Sequence, residues 1–207
     1  MFRKILSAAT IAMPLVIGAS ASAMAEGPKG EAVRVRGTIV EFGANALKVK
    51  TREGQTVDLA LADNWMVSSV AKASLSDIKP GDYVGIASLP KKDGGDGALE
   101  VLIFPPSLKG AGEGSFGWDL QPNSTMTNGS VADAVKAVDG RTVTVSYHGK
   151  EKKIAVPDGT PVVTFAPATQ ADLMPEAVVF VSGEKDSGGT ITAQRVVVGT
   201  NGVVPPM

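Results

Sequence analysis

Apolar and polar positions alternate along most of this chain with the two-residue spacing of half-buried β-strands, not the spacing of helices. Val33 to Glu41 alternates in this way. Leu47, Val49 and Thr51 then share one face while Lys48 and Lys50 share the other. A turn at Arg52-Glu53-Gly54 leads into Val57, Leu59 and Leu61. The segment Ser74-Leu75-Ser76-Asp77-Ile78-Lys79-Pro80-Gly81-Asp82 reads as one short helical turn stopped by Pro and Gly. Tyr83 to Leu89 and Ala98 to Phe104 supply two more strands, joined by a flexible hairpin from Asp93 to Gly97.

The same order of elements returns further along the chain. Residues 54–104 align without a gap to residues 149–199, a shift of 95, and twelve of these 51 pairs are identical. Unrelated segments of this composition would share about three or four, so the excess points to duplication. Apolar positions pair with apolar ones, among them Leu59/Ile154, Leu61/Val156, Val70/Phe165, Ile78/Leu173 and Ile86/Val181. The second copy places strands at Val135 to Val138, Val143 to Tyr147, Lys152 to Val156, Val178 to Ser182 and Thr192 to Val198, with a turn at Asp172 to Pro175. Two copies are too few for a solenoid.

Five short strands with a helical element between the third and fourth match the element order of an OB-type barrel. The expected fold is therefore all-β: two tandem five-stranded OB-like barrels, with two small open β-sandwiches as the alternative. The expected division is a signal peptide at 1–25, a first β-barrel domain at 26–105, a connecting strap at 106–129 and a second β-barrel domain at 130–207. The strap is Gly-rich but carries Phe116, Trp118, Leu120 and Met126, apolar anchors that a free linker does not need. It is expected to be ordered against the barrels, with Trp118 buried at the junction of the two copies.

The first residues change the picture of where the chain works. Arg3 and Lys4 precede an apolar stretch from Ile5 to Gly18 and a small-residue series from Ala19 to Ala25. That is the order of a cleavable secretion signal, so export to the periplasm and a mature start at Glu26 are expected. Beyond Glu26 every apolar run is broken by Gly, Pro or charge before it reaches membrane-spanning length. Without Arg3 and Lys4 the 20 basic residues fall to 18 against 21 acidic, a net charge of −3. This balance, and the lack of aromatic residues among the outward positions Lys48, Lys50, Asp58 and Ala60, argue against nucleic-acid binding. The absence of cysteine excludes disulfides, thiolate metal sites and a Cys nucleophile.

Five features together carry a resemblance: the repeat; the leader; the turn Asp77-Ile78-Lys79-Pro80-Gly81-Asp82-Tyr83-Val84; the segments Trp118-Asp119-Leu120 and Ser124-Thr125-Met126-Thr127-Asn128; and the end Val203-Val204-Pro205-Pro206-Met207. The chain resembles exported Gram-negative bacterial proteins with tandem copies of an OB-like domain of unknown function, some of them labelled metal ABC transporter permeases. A permease needs several membrane-spanning helices, so the resemblance implies at most an association with metal transport.

Candidate chemistry is thin. The lone histidine, His148, falls at a hairpin turn matching Arg52-Glu53-Gly54. As a metal ligand it would depend on the thioethers of Met126 and Met207. Asp93, Asp96 and Asp186 lie in Gly-rich hairpins and read as turn residues, because the spacing of a Ca²⁺ loop is missing. No acid stands out as apolar-flanked and paired with a second. The expected function is a non-catalytic binding or scaffolding module, without a cofactor, for a protein partner or an envelope glycan, with Phe116, Trp118 and Met126 as contact residues. The alternative is a metal-handling accessory protein using Met126, His148 and Met207. The intact mass of the protein recovered from the periplasm is expected to lack residues 1–25, and a mass that includes them overturns the leader.

Overall fold

The computed structural model of the chain describes residues 30–137 and 140–205. The signal segment, Met207 and Val138 lie outside the described residues. The strands are β1 (Glu31–Gly43), β2 (Ala46–Thr51), β3 (Thr56–Lys72), β4 (Tyr83–Pro90), β5 (Asp96–Ile103), β6 (Gly114–Trp118), β7 (Ser124–Ala137), β8 (Gly140–Tyr147), β9 (Lys150–Ala155), β10 (Val162–Ala166), β11 (Val178–Lys185) and β12 (Ile191–Gly199). Single 3-10 turns at Leu75–Asp77, Pro106–Leu108 and Gln170–Asp172 are the helical elements among the described residues.

The molecule is all-β and contains a closed five-strand barrel plus further strands. The barrel, however, is not made of consecutive strands. β1, β2 and β3 pair in order, and then β3 runs parallel to β12, β12 pairs antiparallel with β11, and β11 returns to β1. Its wall thus takes three strands from the first copy and two from the second. The remaining strands follow the same rule: β7, β8 and β9 pair in order, β9 touches β5 over two residue pairs, β5 pairs with β4, and β4 returns to β7. The contiguous barrels expected from the sequence, each copy closing on itself, are therefore not the arrangement of the pairings. β4 and β5 thus lie with β7 to β9, and β11 and β12 with β1 to β3. Val84 and Val179, like Leu59 and Ile154, are each buried in one of the two interiors.

The two interiors match as the duplication requires. Ile39, Leu47, Leu59, Val179 and Val196 pack inside the first ring, and Val131, Val143, Ile154, Val84 and Val101 pack inside the second. Both capping boxes also recur, Ser74 with Asp77 and Thr169 with Asp172, so each 3-10 turn enters with its first amides satisfied. β3 is one long strand, whereas its counterpart is split into β9 and β10 by Pro157 and Pro161, which remove ladder donors.

The rings meet where β3 pairs with β10. Val70 faces Phe165 in this antiparallel ladder, and Phe165 is also the repeat mate of Val70. A strand pair in which a residue faces its own mate has a local two-fold axis between them, as in a self-complementary dimer contact. Val70, Leu102, Val163, Phe180 and Val197 are buried around this axis, with Phe104, Phe165, Trp118 and Val203 packed against them.

The strap is ordered. β6 forms a hairpin with the start of β7, so Ser124 to Gly129 belong to a strand and the expected boundary at 130 falls inside β7. Crossing the rings also demands close backbone approach. Gly37 in β1 and Gly129 in β7 occupy equivalent places, and a methyl on either would collide with the carbonyl of Lys50 or Ser146 on the neighbouring strand. Gly37→Ala and Gly129→Ala are expected to cost about 1–3 kcal/mol each. Gly43→Ala, where an added methyl meets nothing within 4 Å, should stay within about 0.5 kcal/mol. Urea unfolding of the three variants checks this, and equal midpoints would contradict the close approach.

Candidate functional site: an arginine cluster between the rings

β1 carries Arg34 and Arg36 on the same face, outward from the first ring, because side chains two apart on a strand point the same way. Asp119, just past the end of β6, meets both. Arg36 Nη2 donates to Asp119 Oδ1 at 2.8 Å, and Arg34 Nη1 lies 3.9 Å from the same oxygen. Trp118 lies beneath them: the Arg34 guanidinium carbon is 4.1 Å from the Trp118 ring centroid and that of Arg36 is 5.6 Å away. Phe180 adds a second aromatic face, 5.0 Å from Arg36 and 6.3 Å from Trp118. Cations over aromatic faces gain from the ring quadrupole as well as from Asp119.

Arg36 is only 8% exposed and Glu100, on β5, only 2%. Glu100 Oε1 is fully enclosed and has no hydrogen-bond partner among the described residues, and the same is true of Trp118 Nε1. Burial pushes the Glu100 carboxyl up to about 8, against the pull of the Arg36 and Arg52 charges. Arg52, in the β2–β3 turn, donates its backbone N–H to the Arg36 carbonyl at 3.1 Å. Burial and then the nearby charge of Arg36 lower its guanidinium below the ordinary value. For Asp119 burial alone would raise the carboxyl, but the hydrogen bond from Arg36 and the charges of Arg36 and Arg34 hold it below the usual range.

The cluster breaks the internal symmetry. The β-bulges of β1 and β7, between Ile39 and Glu41 and between Val131 and Asp133, bring those strands into register. Arg36 then corresponds to Asn128 and Arg34 to Met126, while Glu100 corresponds to Arg195. The backbone differs too. β7 pairs with β4 on one side and with β6 on the other over Ser124 to Asn128. The matching stretch of β1, Glu31 to Arg36, pairs with β11 alone, since β2 joins only at Gly37. Because the Arg36 carbonyl faces away from β11 to reach Arg52, the alternation of an antiparallel ladder turns the N–H and C=O of Arg34 and Ala32 to that same side. No described strand covers them. A cleft of about 380 Å³ borders this edge, lined by Arg34, Arg36, Arg52, Glu53 and Asp119 among others.

The residues expected from sequence fall partly here. Trp118 packs against the cluster between the two rings, but it is half-buried and not largely buried as expected, even with Arg34 and Arg36 over its ring. Phe116 is 38% exposed with its ring centroid 6.1 Å from that of Trp118. Met126 is 4% exposed, held in β7 opposite Phe116 and Ala87, so its side chain is not presented to a partner. His148 sits in the β8–β9 turn at φ +46, and its backbone N–H donates to Glu113 Oε1 at 2.8 Å. Met126 and His148 are not brought together as a ligand set, and no cluster of three or more His, Asp or Glu suited to a metal occurs among the described residues. Asp186 acts as a turn residue, its Oδ1 accepting from the Thr190 N–H at 2.9 Å.

Sequence reasoning missed Arg34, Arg36, Arg52 and Glu100. Glu100 had a visible signal: it is the one charge in the apolar run Ala98 to Phe104, flanked by Leu99 and Val101. Glu100 is thus an apolar-flanked acid, though not one paired with a second acid. Comparison with protein-family models, with curated proteins and with solved structures returns no match for this chain.

The buried carboxyl gives stability a pH dependence of defined sign. Glu100 is protonated in the folded protein up to about pH 8, while in the unfolded chain it ionises near its ordinary 4.5. The folded state then holds the extra proton between these values, and stability falls as pH rises through that window. Glu100→Gln should remove this slope, on the order of 5 kcal/mol across the window. Denaturant midpoints of both proteins from pH 5 to pH 9 measure it, and parallel curves would exclude Glu100 as the source.

Proposed function

We propose that the protein is an exported, non-catalytic binding module of the periplasm that holds a protein partner by strand addition. In this reading the fold is a pair of OB-like barrels that have traded their last two strands, consistent with the duplicated element order and with the bacterial group the sequence resembles. The leader-like order of residues 1–25 supports export. No helix among the described residues is long and apolar enough to cross a membrane.

The observation that carries the proposal is the uncovered edge of β1. Among the described residues the equivalent edge on β7 is covered by β6, while no strand pairs with the backbone groups of Ala32 and Arg34 on that side. Main-chain pairing supplies affinity in such a contact and the flanking side chains supply selectivity. Here the flank is cationic, with Arg34, Arg36 and Arg52 against Asp119, so an extended acidic peptide fits. β6 shows where the acid belongs: Glu113, just before it, accepts from the turn at His148, and Arg52 stands in the matching turn of the first ring.

A synthetic peptide with the sequence of residues 112–119 is the probe, added to the mature chain while amide hydrogen exchange is followed. Exchange at the Ala32 and Arg34 amides is expected to slow at least several-fold, and the same peptide with lysine in place of its glutamate should protect much less. Ala32→Pro, which removes an outward donor, should abolish the effect. No protection at millimolar peptide overturns the proposal.

A further inference from the structure

A second feature of the same region lies off the β1 edge and has a different character. A cavity of about 740 Å³ opens between the two rings, within the range of small-molecule sites. Its walls come from the end of β3, from β5, from the segment entering β10, and from residues 202–205. Most side chains that reach it are apolar, including Leu99, Leu120, Val163 and Val203. The charged groups on its wall are Arg52, Lys72 and Glu100.

Two cations against one carboxyl leave the wall positive whether or not Glu100 is ionised. The Glu100 side chain is almost wholly buried, and its enclosed Oε1 is not what a ligand in the cavity would meet. The donors this wall offers to a ligand oxygen are Arg52 and the exposed Lys72. The combination sets an anionic, oxygen-bearing head near Arg52 and Lys72 and an apolar body along the Leu99, Val163 and Val203 surface. We infer that the cavity binds an amphipathic anion, a carboxylate or phosphate head on an apolar body. The site uses none of the β1 backbone groups on which strand addition depends, although the two share Arg52.

Isothermal titration of the mature chain with four ten-carbon probes, each below its micelle concentration, tests this. Decanoate and decyl phosphate carry the anion in its two forms, decanol has no charge, and decyltrimethylammonium reverses it. At least one of the two anions should bind one per chain, and the tighter of them names the head. Decanol should bind at least tenfold more weakly than that anion, and the cation should give no saturable heat. Lys72→Gln, an exposed substitution that leaves the core intact, should weaken the anion several-fold while leaving decanol unchanged. Leu99→Trp, which narrows the apolar wall of the cavity, should weaken binding of every probe several-fold. Decanol or the cation binding as tightly as the anions would overturn the anion site, as would the absence of binding by both anions at millimolar concentration. Either failure leaves the exchange protection of Ala32 and Arg34 by peptide as a separate measurement.

Discussion

The rest of the structure depends on the pairing of β3 with β10. Each ring has an apolar interior that excludes water, but neither is built from one continuous half of the chain, so the halves cannot separate without opening both. The ladder from Ser69 to Lys72 against Val163 to Ala166 is the place where the two rings share a sheet. Its self-complementary register explains why a duplicated sequence folds this way: a residue placed on the axis meets its own mate, and any surface that suits one copy suits the other. Phe104, Phe165 and Tyr83 stack edge to face beside the axis, at centroid distances of 5.8 and 5.3 Å, and fill the space where the crossing strands diverge.

The two halves agree at their inward positions and differ at their outward ones. Inward residues are apolar in both because a polar group there would be buried without a partner. The outward ones are not held to this. Phe180 corresponds to Gly85, and this exchange of a ring for a hydrogen is a local cause of the asymmetry. On the first ring Phe180 supports Trp118 and the two arginines. On the second, the space above Gly85 is taken by Met126 and Asn128, whose side chains would stand 3.5 and 2.7 Å from any added methyl. One ring has become a closed structural unit with β6 as its cover, and the other has kept an open edge and a charged surface.

Much of the fold was legible in the sequence. Alternation located the strands, Pro80 and Gly81 marked the end of the helical turn, and the ungapped shift of 95 matched inward residues such as Leu59 and Ile154. The exchange of strands was not legible, because swapping Val84 for Val179 leaves every ring with the same set of side chains, and no local pattern distinguishes the two connections. The arginine cluster was hidden for a different reason. β1 and β7 align with a shift of 92, and the turn at Glu53 holds one residue more than the turn at His148, so the ungapped repeat stopped at Gly54 and never compared Arg36 with Asn128. Asp119 was in view as part of a motif, yet its partners lie on β1, 83 residues away in the chain.

The position of Glu100 ties the fold to the site. A lone carboxylate in so buried a place would be prohibitive if ionised, and the environment resolves this by favouring the proton while Arg36 and Arg52 supply a field of the opposite sign. An apolar residue of similar volume would pack there at lower cost, as replacements of buried charges often show. Arg36, in turn, has Asp119 as a full counter-charge and does not require Glu100 for neutralisation. The carboxyl is therefore poorly explained by stability alone, since it satisfies neither its own hydrogen-bonding capacity nor the arginines' need for charge. Glu100 stands in the wall of a cavity whose other sides are mainly apolar and whose remaining charges, Arg52 and Lys72, are positive, so its cost falls beside the place where the proposed anion would sit.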